Sequence, residues 1–95
     1  MHSFTINGKE YKTVPFDFNV ICDLEDLGVP IEKAGDKPIS MLRAYFAICG
    51  KMSVEEAGLE ISKHLQNGGD MDVLSDAMSA EIDESDFFRT LSQGA

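Results

Sequence analysis

A mainly α fold of the α+β kind, an N-terminal β-hairpin followed by about four α-helices in one small domain, is predicted by three features of the sequence. An Asn-Gly pair sits between two short β-prone runs near the start. Four later segments carry apolar residues at helical spacing between recognisable start and stop residues. The whole is only 95 residues long with 43% hydrophobic content, enough for a single modest core.

The hairpin comes first. Asn7-Gly8 lies between Phe4-Thr5-Ile6 and Tyr11-Lys12-Thr13-Val14, and Asn-Gly supplies the two positive-φ positions of a type I′ turn, so residues 3 to 14 are expected to pair. Pro15 ends that element. Asp17 then stands as an N-cap and Gly28 as the C′ residue of a first helix, DFNVICDLEDLG. Its apolar arc is read as Phe18, Val20, Ile21, Cys22, Leu24 and Leu27, with Asn19, Asp23 and Asp26 opposite, so Cys22 is expected in the core. Glu25 falls within that arc and needs a partner or a place at its edge.

Residues 29 to 37, VPIEKAGDK, read as a loop. Pro38 suits the first turn of a second helix, about 38 to 49, stopped by Gly50. PISMLRAYFAIC is apolar nearly all round with Arg43 its one charge, so this helix requires cover on most sides, from its own domain or from another chain. Arg43 either pairs with Glu25 or reaches water along its stem. Ser53-Val-Glu-Glu56 forms a capping box that opens a third helix to about Gln66, with Val54, Ala57, Ile61 and Leu65 as its buried stripe and Leu59 pointing outward. A fourth helix, about 71 to 84, carries the stripe Met71, Leu74, Met78 and Ile82. Ser85 or Asp86 is expected to cap a final turn bearing Phe87, Phe88 and Leu91.

Several function classes lose support. The formal net charge of −9 repels phosphate backbones and anionic lipid, which argues against nucleic acid and membranes as partners. No run approaches the roughly 18 apolar residues of a membrane span, and MHSFTING lacks the features of a signal peptide, so a cytoplasmic protein is expected. Cys22 and Cys49 are too far apart in sequence for a CxxC motif and read as reduced thiols. DMDVLSDAMSAE places acids at the first, third, seventh and twelfth positions of a calcium loop, but Leu74 and Ser75 replace an oxygen ligand and the turn glycine. No phosphate loop, nucleophile elbow or zinc spacing appears, and His64 has no second histidine nearby, so neither enzyme, metal nor cofactor is expected.

The runs FTINGKEYKTVPFDFNVICDLEDLG and KPISMLRAYFAICGKMSVEEAGLEISKHL, a Gly-Gly turn, and a closing helix ending ESDFFRTL resemble the tail assembly chaperones of long-tailed bacteriophages and prophages. The likeness extends from Phe4 to about Leu91. It implies a cytosolic, nonenzymatic protein that binds the helical tape measure protein, keeps it soluble, assists the tail tube protein to polymerise around it, and self-associates. Apolar surface in excess of the core is expected at Tyr45 and Phe46 of the second helix, at Leu59, and at Phe87 and Phe88, which makes these the candidate partner-binding residues. Two other classes stay open: a small helical DNA-binding or regulatory protein, which the charge opposes, and a small enzyme using Glu25, His64 or Cys22, which needs two of these to converge on one pocket.

Overall fold

The computed structural model describes residues 2 to 85, and the expected final turn with Phe87, Phe88 and Leu91 lies outside them. Strands β1 (Ser3–Ile6) and β2 (Lys9–Lys12) pair antiparallel with Ile6 opposite Lys9 and Phe4 opposite Tyr11. Asn7 (φ 55°) and Gly8 (φ 76°) turn the chain, both left-handed, as a type I′ turn demands. Helices α1 (Phe18–Asp26), α2 (Pro38–Gly50), α3 (Val54–Gln66) and α4 (Asp72–Glu84) follow. None of the described helices is long and apolar enough to cross a membrane.

The caps form largely as the sequence dictates. Asp17 accepts the Val20 N–H at 3.0 Å, and Ser53 Oγ accepts the Glu56 N–H at 3.1 Å. The capping box is only half closed, because the Glu56 carboxylate rests on the Ser53 hydroxyl at 3.4 Å. The segment expected as a loop contains a 3-10 turn, Ile31–Asp36, whose Ile31 and Ala34 pack against the core beside buried Val29. Gly50 does not stop α2. It is the last helical residue, and the chain leaves through Lys51 in the left-handed conformation (φ 55°). A Cβ on Gly50 would stand 2.3 Å from the Met52 Cε and 3.3 Å from the Tyr11 ring, so glycine there serves close approach, not termination.

Everything is arranged around α2. It packs against α1, α3, α4, β2 and the 3-10 turn, and buries Met41, Leu42, Ala44, Tyr45, Phe46 and Ala47. Pro38, Ile39, 72% exposed, and Arg43 face out. The cover demanded by its composition therefore comes from the same chain. Aromatic rings fill the hairpin side. Tyr11 meets Phe46 edge-on at 4.9 Å, Phe4 stacks on Tyr11 at 5.6 Å, and Phe16 lies parallel to Tyr45 at 4.9 Å.

A two-stranded hairpin is unstable alone, and polar clasps tie it to three helices. The Tyr45 hydroxyl donates to the Val14 carbonyl (2.6 Å) and accepts the Val14 N–H (3.2 Å), fixing the hairpin's exit to α2. The Thr13 hydroxyl accepts the His2 N–H (3.0 Å) and donates to the Glu81 carboxylate on α4. Asn7 Nδ2 donates to the Glu60 carbonyl (2.8 Å) and carboxylate (3.0 Å) on α3. Glu81 is 5% exposed, a buried acid that the apolar stripe of α4 did not reveal. Next to it, His2 and Glu84 form an ion pair, and that hydrogen bond holds the exposed Glu84 carboxyl below its usual range.

Helix α1 corrects the reading of its wheel. Only Val20, Ile21 and Leu24 are buried, while Cys22 is exposed and Phe18 is 64% exposed. Nine residues packed on α2 and the 3-10 turn bury one narrow stripe, and at about 100° per residue Cys22 points roughly 150° from its centre. Glu25 is likewise exposed, and it forms no ion pair with Arg43 among the described residues. The Arg43 stem lies instead along α3, with Cδ 3.5 Å from where a Gly58 Cβ would stand. On α3 the stripe ends early: Ala57 is buried, Val54 and Ile61 are partly so, and Leu65 is exposed.

Two predictions follow from this core. Alkylation of the folded protein near neutral pH should modify Cys22 quickly and Cys49 slowly, because Cys49 is half-buried and burial pushes its thiol up. Cys22→Ala should change the unfolding free energy by less than about 0.5 kcal/mol, against about 2–5 kcal/mol for Leu24→Ala. Equal labelling of both thiols would contradict the burial pattern. The second concerns base. Burial holds the Tyr45 phenol far above its ordinary value of 10.0, and the nearby Cys49 and Glu81 act in the same direction. Folded Tyr45 and Cys49 thus keep protons that the unfolded chain releases, so stability is intact below about pH 9 and falls as pH rises past the ordinary thiol and phenol values. Urea midpoints between pH 7 and 11 should show this decline. Tyr45→Phe should flatten it while costing roughly 1–3 kcal/mol at pH 7, since the Val14 N–H and carbonyl lose their partner.

Candidate partner-binding surface

Two of the five candidate contact residues are not at the surface. Tyr45 and Phe46 are 0% exposed, enclosed by the hairpin rings and the neighbouring helices, and Tyr45 has its hydroxyl committed to Val14. The sequence reading placed apolar surface in excess of the core at both, but the core takes both in completely. Phe87 and Phe88 lie outside the described residues. Leu59 is where it was expected, 63% exposed on the outer face of α3.

Leu59 is not an isolated leucine. It lines a groove of about 320 Å³ between β2 and α3 whose apolar wall is Tyr11, Met52 and Leu59, and whose rim is Lys9, Glu56, Glu60 and Lys63. The strand supplies Tyr11 because alternate residues of β2 face inward, and the α2–α3 connection supplies Met52 because Lys51 turns the chain back over Gly50. Lys9 Nζ sits 5.5 Å above the Tyr11 ring, and Lys63 pairs with Glu60 at 3.7 Å. The rim is therefore largely self-neutralised. A second groove, about 310 Å³, lies between α1 and α2, with Leu27, Ala47, Ile48 and Met52 as its apolar lining and Asp23, Asp26 and Lys51 around it. Met52 borders both. The sequence offered no sign of this shared residue, since Met52 precedes the capping box and belongs to no apolar stripe.

The residues weighed for catalysis do not converge. His64 is half-buried beside the hairpin turn, where Nδ1 accepts the Asn7 N–H (3.3 Å) and Nε2 donates to the Asp70 carbonyl (2.9 Å). Both ring nitrogens are taken up by these contacts, which leaves neither for a substrate or metal. The pocket at His64, about 590 Å³, is lined by Asn7, Gly8, Glu60, Lys63, His64 and Asn67 to Gly69, without Cys22 or Glu25. Both of those sit on α1, exposed. Among the described residues no three His, Cys, Asp or Glu side chains are placed to hold a metal ion. What the surface offers is apolar contact framed by charge.

Comparison of the chain with models of protein families, with characterised proteins and with solved structures finds no match.

The difference between α2 and Leu59 is measurable by mutation. Leu59→Glu should leave the thermal midpoint and the urea midpoint nearly unchanged, within about 0.5 kcal/mol, because the side chain already faces water. Phe46→Ala should cost about 3–5 kcal/mol, the range for emptying a core aromatic site. A Leu59→Glu variant that fails to fold would show that Leu59 is held in the core in solution.

Proposed function

We propose that this protein is a tail assembly chaperone of a phage or prophage, which binds the tape measure protein, keeps it soluble in the bacterial cytoplasm and assists tail tube polymerisation around it. The observation that carries the reading is the groove at Leu59, where an exposed leucine and half-buried Met52 flank the buried Tyr11 ring, on a body of formal net charge −9. The resemblance of the sequence to that family supplies the identity of the partner. A tape measure protein exposes apolar helical surface until the tube encloses it. A chaperone needs apolar area to cover that surface and net charge to keep the complex dispersed, and it needs no reacting groups.

The geometry also limits how the protein would do this. Tyr45 and Phe46 are unavailable, so contact falls to residues at the groove and at other exposed apolar positions. Self-association, part of the same reading, would use positions such as Ile39, Leu65 and Val73, since the rest of α2 is already covered within one chain. An opposed reading as a DNA-binding regulator gains nothing from the structure, because Lys9, Lys63 and Lys51 each lie among carboxylates.

Coexpression tests the proposal. An insoluble helical fragment of the tape measure protein encoded beside this chain should become soluble and copurify, and moderate salt should weaken the complex little because apolar burial dominates it. Leu59→Glu should reduce the rescued fraction while the chaperone itself stays folded. A fragment that remains insoluble with abundant folded chaperone would refute the assignment.

A further inference from the structure

We infer that the bound segment is an amphipathic helix with basic flanks, laid across the two grooves that meet at Met52. The inference rests on the chaperone reading for the helical character of the partner; the orientation and charge preference come from the site. Apolar positions from both grooves, Leu27 and Ile48 on one side and Leu59 on the other, are joined by a side chain common to both, and methionine is the residue best able to adapt to either occupant. Such a surface matches the apolar stripe of a helix, whose residues recur at three- and four-residue spacing.

Charge selects the occupant. The last turn of α1 sends Asp23 and Asp26 to the α1–α2 groove, where Lys51 is the one cation lining it among the described residues, at the helix end where backbone carbonyls already concentrate negative potential. Neither Asp23 nor Asp26 has an ion-pair partner among the described residues, whereas Glu60 of the other groove is paired with Lys63. The α1–α2 groove sets Asp23 and Asp26 against Lys51 and so keeps one negative charge in excess, whereas the rim of the other groove balances, and a lysine or arginine flanking the partner's apolar stripe would relieve that excess. A second copy of this chain would bring another −9 and the same acidic rim, which disfavours it as the occupant.

The test uses the full chain, isotope-labelled, and two synthetic 21-residue helical peptides with one leucine stripe, flanked in one by lysines and in the other by glutamates. The lysine peptide should shift resonances of Leu27, Ile48, Met52 and Leu59 together, and should bind at low salt about fivefold or more tightly than its glutamate counterpart, the scale of a few exposed ion pairs. Leu59→Glu, which leaves the fold intact, should weaken the lysine peptide about tenfold. Asp23→Asn with Asp26→Asn should bring the two peptides towards equal affinity without abolishing binding. Equal or better binding of the glutamate peptide, shifts confined elsewhere, or binding of neither would overturn the inference. If the peptides fail while a coexpressed tape measure fragment is still rescued, the chaperone reading stands and only this surface is wrong. If both fail, the function itself falls.

Discussion

The phenol of Tyr45 is the constraint on which the rest of the molecule depends. A side chain this large, 0% exposed, contributes strongly to a core that a 95-residue chain can barely assemble, yet its hydroxyl is costly to bury unless both its donor and its acceptor capacity are used. The backbone of Val14 satisfies both at once. That single residue pair fixes where the hairpin ends relative to α2. Pro15 and Phe16 must then carry the chain across the Tyr45 ring, and Phe16 stacks on it at 4.9 Å before Asp17 opens α1. The hydrophobic demand of α2 and the polar demand of one hydroxyl thus settle the same geometry.

The other polar clasps work outward from this point. Thr13 meets Glu81 next to Val14, and Asn7 meets Glu60 and His64 at the far turn, so the hairpin is tied at both ends to different helices. Such directed contacts matter more for uniqueness than for net stability. A hydrogen bond contributes little beyond what water offered, whereas a misplaced hairpin would strand Glu81 or the Tyr45 hydroxyl without a partner. The aromatic contacts among Phe4, Tyr11 and Phe46 supply the apolar share of the same joint.

The core is built around α2, and several large apolar groups remain at the surface. Phe18, Ile39, Leu59, Leu65, Val73 and Leu27 are large apolar groups left exposed, and of these Leu59 and Leu27 lie in grooves that share half-buried Met52 at the α2–α3 connection. Their neighbours are mostly charged. The ring nitrogens of His64 are meanwhile taken up by Asn7 and Asp70.

By itself the sequence determined the local structure: the Asn7-Gly8 turn, the Asp17 and Ser53 caps, the four helices and the outward face of Leu59 all arise from signals within a few residues, where propensity, turn geometry and capping act. It also determined that α2 must be covered. Only the tertiary structure decided what covers it, and hence that Tyr45 and Phe46 are core and not contact surface. The same holds for Cys22, since a wheel shows which residues are apolar but not how wide a stripe the neighbours will bury. Glu81 against Thr13, His64 against Asn7 and Met52 between two grooves are contacts between residues distant in sequence. No local signal encodes them, because their partners meet only after the core around α2 has closed.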